Sequence, residues 1–164
     1  MKLSRYCLTL LALSLLAGCT EPPNYPTEPR IEYIGISKKT IVQGSRNAIP
    51  DTLFIRFSFT DGDGDLGDRD SINIFLIDSR DGFRTTKKIN PIPEQGSGNG
   101  VSGEITLRLV NAVGDICCIF PDRRVCQVDP RYPQDTFSYS IQMRDRAGNL
   151  SNIIQTEPIT ILCQ

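Results

Sequence analysis

Beyond residue 30 the chain alternates between apolar and polar positions. Between Thr52 and Thr60, Leu53, Ile55, Phe57 and Phe59 take every second position while Arg56, Ser58 and Thr60 take others. This is the two-residue period of a strand with one face in a core and one in water. Phe54 breaks the rule by standing on the wet face. The period returns where Phe137, Tyr139, Ile141 and Met143 interleave with Ser138, Ser140, Gln142 and Arg144, and more loosely from Val101 to Val110. Ser71 to Asp78 is almost continuously apolar; the turn Ser79-Arg80-Asp81-Gly82 and a weaker return strand, Arg84 to Ile89, follow. Ile31 to Ile36, continuing to Val42, reads as the first strand, and Leu150 to Leu162 closes the series. No convincing 3.6-residue spacing interrupts it. About seven strands joined by Gly-, Asp-, Asn- and Pro-rich turns predict an all-β, two-sheet antiparallel sandwich, with a small β-barrel as the alternative.

Particular residues sharpen that expectation. The strand from Phe137, the turn Asp145-Arg146-Ala147-Gly148-Asn149-Leu150-Ser151 and the ending Ile159-Thr160-Ile161 resemble the last two strands of bacterial Ig-like domains. The run Thr60-Asp61-Gly62-Asp63-Gly64-Asp65-Leu66-Gly67 is similar to loops of lipid-anchored envelope proteins that carry such domains. The resemblance implies an Ig-like sandwich over residues 31–164 and no particular activity. In such a fold the loops after the second and sixth strands share one end, so Asp145 and Asn149 would face the aspartate run. The same topology would gather the later cysteines at the opposite end.

The N-terminus follows different rules. Lys2 and Arg5 precede an apolar run from Leu8 to Ala17, which has the form of a secretory signal. At about ten residues it falls short of the roughly 20 a spanning helix needs. It ends in Leu16-Ala17-Gly18-Cys19, which resembles the lipobox of bacterial lipoproteins. The resemblance implies cleavage after residue 18, a diacylglyceryl group on Cys19 and a further fatty acyl chain, such as palmitate, on its amine. Two or more acyl chains anchor firmly where one does not. Thr20 is not the aspartate associated with inner-membrane retention in some lipoproteins, so the resemblance implies a lipid-anchored envelope protein of the outer membrane. Residues 19–30 carry Pro22, Pro23, Pro26 and Pro29 and read as an extended spacer, which would place the acidic loops towards the membrane unless it folds back.

Composition narrows the chemistry. Removing residues 1–18 from the 164 leaves 146, enough for one domain with a real core. Without Lys2 and Arg5, 16 basic residues face 19 acidic ones, and nothing suggests a nucleic-acid surface. Histidine is absent, which removes the commonest general base and the Ser-His and Cys-His nucleophile pairs. Tryptophan is absent too, which weakens the case for a carbohydrate platform. Gly96-Ser97-Gly98-Asn99-Gly100 reads as a loop; no Lys-Ser or Lys-Thr follows to make it a phosphate cradle. Four cysteines remain in the exported chain: Cys117, Cys118, Cys126 and Cys163. In an oxidising compartment they predict two disulfides. Adjacent cysteines rarely pair, so one of Cys117 and Cys118 should bond Cys126 and the other Cys163. Zinc is the alternative, although ligand pairs usually have two to four residues between them.

Asp61, Asp63, Asp65, Asp68 and Asp70 lie within ten residues of one another and, with Asp145 and Asn149, form the candidate calcium site, since calcium takes six to eight oxygens. The EF-hand template fails: Leu66 stands where glycine is needed and Ile72 where glutamate is. The competing explanation is that Asp-Gly repeats simply form solvated turns. Asn149-Leu150-Ser151 matches a glycosylation triplet, which the turn explains better. The sequence supports a non-catalytic binding or assembly module that requires no cofactor beyond this candidate Ca2+. The membrane, through Cys19, and an envelope protein or glycan are the expected partners. The rival is a hydrolase acting on an envelope or extracellular glycan through two of the clustered aspartates.

Overall fold

The computed structural model describes residues 24–43, 49–93, 100–121, 123–124 and 126–163. Cys19, the signal-like run and residues 96–99 of the glycine-rich stretch lie outside them. Twelve strands appear among the described residues: β1 (Arg30–Ile36), β2 (Thr40–Val42), β3 (Thr52–Asp61), β4 (Ile74–Asp78), β5 (Arg84–Lys87), β6 (Val101–Val110), β7 (Ile119–Phe120), β8 (Arg123–Arg124), β9 (Gln134–Phe137), β10 (Tyr139–Met143), β11 (Ile154–Gln155) and β12 (Ile159–Leu162). The fold is all-β, as the alternation predicts. Three sheets run β1-β3-β6, β11-β10-β4-β5 and β2-β12-β9, and β7 and β8 form a separate hairpin inside the cysteine loop.

The excess over seven strands comes largely from long runs that change neighbours. Only Ser138 separates β9 from β10, and there side chains replace the ladder: the Ser138 amide donates to Ser79 Oγ at 2.9 Å and the Tyr139 amide to Thr156 Oγ1 at 3.0 Å. The chain thus leaves β12 and joins β4 and β11. β2 pairs parallel with β12, whereas the other named strand pairs are antiparallel.

The inward positions of the sheets form one hydrophobic cluster, with Leu53, Ile55, Phe57, Leu76, Tyr139 and Ile161 deeply buried. Phe54 is 41 % exposed, as its place on the wet face predicts. Two disulfides, Cys117–Cys126 and Cys118–Cys163, realise the expected pairing. The second ties the segment after β6 to the end of β12.

Candidate metal centre

The aspartate run begins where β3 ends. The alternation that buries Leu53, Ile55, Phe57 and Phe59 continues one step further, and the next inward position is Asp61, fully buried. Gly62 must follow because the N-terminal segment crosses there: its amide donates to the Pro26 carbonyl at 2.7 Å. A β-carbon at residue 62 would lie 2.2 Å from the Tyr25 carbonyl oxygen, which no L side chain tolerates. Gly64, at φ 71°, turns the chain back, so that the Asp65 amide reaches Asp61 Oδ2 at 2.9 Å. Leu66, the residue that spoils the EF-hand template, is fully buried and pins the loop to the core.

The loop after β10 meets this one. The Arg146 amide donates to the Asp65 carbonyl at 3.3 Å, and the Ala147 amide to Asp65 Oδ2 at 2.8 Å. Asp145 is buried, and its charge acts on both Asp61 and Asp65. Asn149 sits beside it but is occupied: its amide and Nδ2 donate to the Asp145 carboxylate at 2.7 and 2.8 Å.

Carboxylate oxygens of Asp61, Asp63 and Asp65 lie within 4.8 Å of one another. Asp61 Oδ1 and Asp65 Oδ1 are buried and accept no hydrogen bond from the described residues. Buried polar atoms are nearly always satisfied, and an exception calls for an explanation. Burial, then the neighbouring charges of Asp63 and Asp65, push the Asp61 carboxyl from 3.8 up to about 7. Asp65 is raised too, by burial first, against the opposing Ala147 hydrogen bond. A buried, a half-buried and an exposed carboxylate converge here, and the first two each keep one oxygen that meets no donor among the described residues, which matches the chemistry of a hard divalent cation.

The structure divides the seven candidates. Asp61, Asp63 and Asp65 converge; Asp145 lies behind them with both oxygens engaged by Asn149. Asp68 instead accepts the Asp70 amide at 2.8 Å, a local turn bond that lowers its own pKa. It lines a small recess of about 290 Å³ shared with Asp145 and Arg146, and Asp70 is exposed.

Two further features escape the sequence reading. Arg80 is held between the carboxylates of Asp78 (2.7 Å) and Asp135 (3.0 Å), its guanidinium 4.1 Å above the Phe137 ring. Its signal was available: Ile74, Leu76 and Asp78 share the buried parity of β4, and a buried aspartate needs a cation. The second is an open groove of about 390 Å³ across β4, β5 and β10, where Arg84 and Arg144 flank Phe75 at 4.0 and 5.6 Å and, among the described residues, no carboxylate joins the lining.

Comparison with protein-family models gives no match, and comparison with curated proteins gives none either.

Proposed function

We propose that this chain is a lipid-anchored, non-catalytic module of the cell envelope: an Ig-like sandwich that uses calcium to fix the loops at one end. The strand order supports the fold reading. β1-β3-β6 corresponds to the A-B-E sheet of an Ig-like domain, and β10 flanked by β4 and by the β11–β12 run corresponds to its C-F-G sheet. The observation that carries the calcium reading is the pair of buried oxygens on Asp61 and Asp65, without a partner among the described residues, beside the Asp63 carboxylate. Solvated turns would leave those oxygens in water. Asp61, Asp63 and Asp65 would supply ligands, with carbonyls and water completing the shell. The groove around Phe75, with its two cations, suits an acidic envelope protein or glycan.

A hydrolase would draw on the raised Asp61 carboxyl as its acid. That carboxyl is fully buried and its Oδ2 engaged, so it has no surface to offer a glycosidic oxygen.

Calorimetric titration of the metal-stripped protein with CaCl2 tests the reading. Saturable one-site heat that Asp63→Asn abolishes is expected; no heat and no thermal stabilisation at millimolar calcium overturns it. The anchor has its own test: Cys19→Ala should move the protein from the detergent phase to the aqueous phase, and an unchanged partition removes the lipid from the proposal.

A further inference from the structure

The β1-β3-β6 sheet has two edges, and they differ. On β1 the Ile31 amide and carbonyl are both taken by the Asn152 side chain, at 2.9 Å each. That edge is blocked at its start. On β6 the odd positions turn their backbone groups towards β3: the Asn111 amide donates to the Asp51 carbonyl at 2.8 Å. The even positions turn away, as Val110 shows by donating to Asp115 Oδ2 and accepting from Ala112 and Ile116. Upstream of Val110 the even positions are Ser102, Glu104, Thr106 and Arg108. Among the described residues no backbone or side-chain group meets the outward amides and carbonyls of these four. A ten-residue strand with an open edge is a template for another strand.

The side chains say which strand. Arg108 has no ion-pair partner among the described residues, and Glu104 holds only an exposed contact with Arg56. If two β6 strands pair antiparallel about a two-fold axis at Thr106, Glu104 of each faces Arg108 of the other. The register also matches the backbone, since the outward-facing even residues become the hydrogen-bonded pairs. We infer that this edge joins a second copy of the same chain, β6 against β6, to form a continuous six-stranded sheet. About six inter-chain backbone hydrogen bonds form across Glu104, Thr106 and Arg108, with two cross-strand ion pairs on the wet face. Because the pairing is isologous, it uses up this edge in both copies and closes at the dimer, and Asn152 obstructs the start of the far edge.

The test uses the full-length protein in density-matched detergent, followed by sedimentation equilibrium. Wild type should be dimeric. Thr106→Pro removes an amide that β3 does not use, so it should leave the circular dichroism intact and give monomer. Arg108→Glu sets like charges opposite one another and should weaken the dimer about tenfold, and the exchange Glu104→Arg with Arg108→Glu should restore it. Thr106→Cys should form a covalent dimer on oxidation, because residues in a hydrogen-bonded pair lie about 5.5 Å apart; Glu104→Cys should not. A monomeric wild type, as expected if the edge takes a strand from a different protein, overturns the inference. So does a dimer unaffected by Thr106→Pro, or a Thr106→Cys variant that fails to cross-link.

Discussion

Replacing Asp61 by Asn should make the metal-free protein more stable and the calcium-loaded protein less so. The carboxyl is fully buried, and its neighbours raise it from 3.8 to about 7. In the unfolded chain it ionises near 3.9. The folded state therefore holds the proton more tightly, and stability falls as pH rises from about 4 to about 7, then levels off. At 1.36 kcal/mol per pH unit that interval corresponds to about 4 kcal/mol, of which loop relaxation leaves about 2. Asparagine keeps the shape, its oxygen can still accept the Asp65 amide, and its nitrogen offers the neighbouring carboxylates a donor. In EDTA at pH about 7.5 the variant should melt about 4–8 °C above wild type. Calcium reverses the order. At about 100 times a typical extracellular dissociation constant, wild type gains about 2.7 kcal/mol, and the variant, short of one anionic ligand, gains little. Thermal unfolding of both proteins in both buffers is the assay. A variant less stable than wild type in EDTA, or one equally stabilised by calcium, would refute the reasoning.

The remaining predictions concern pH, the buried ion cluster and the crosslinks. Calcium affinity should fall about tenfold per pH unit below 7, because Asp61 must lose its proton to bind; calorimetry in buffers of different ionisation enthalpy would show the proton released. Arg80→Ala should cost about 3 kcal/mol in urea unfolding, since Asp78, 1 % exposed, loses the Arg80 guanidinium. Opening Cys118–Cys163, whose ends are 45 residues apart, should cost about 4 kcal/mol, against about 2.6 for Cys117–Cys126, nine apart. Paired Cys→Ala variants compared by denaturant midpoint would check the order.

Strand positions were the most legible part of this fold, because each rests on a local period. Val101–Val110 is predicted with the bounds it has, and Thr52–Thr60 extends by one residue, to Asp61. That residue is instructive. Composition marks it as one aspartate in a soluble-looking run, whereas the parity of β3 makes it the one that must go inside. The break at Ser138 was hidden because it depends on two distant hydroxyls, Ser79 and Thr156, replacing ladder bonds. The meeting of the Asp65 and Ala147 loops follows from topology, and the fold resemblance anticipates it. Which oxygens would be left over does not, because Asn149 spends its donors on Asp145 and Asp68 turns to its own backbone. The open edge of β6 was equally invisible, since alternation describes the faces of a strand and not its rims.

The contact between Pro26 and Gly62 gives the aspartate loop a mechanical position. Tyr25 and Pro26 lie across the end of β3 and, through Gly100, beside the start of β6. Among the described residues, tension drawn through the segment before β1 would load the hydrogen bond beside Asp61 ahead of the β1–β3 ladder. A cation drawing Asp61, Asp63 and Asp65 together would stiffen the point of attachment. The protein would then resist pulling more strongly with the ion bound than without it, a tether whose grip is set by site occupancy.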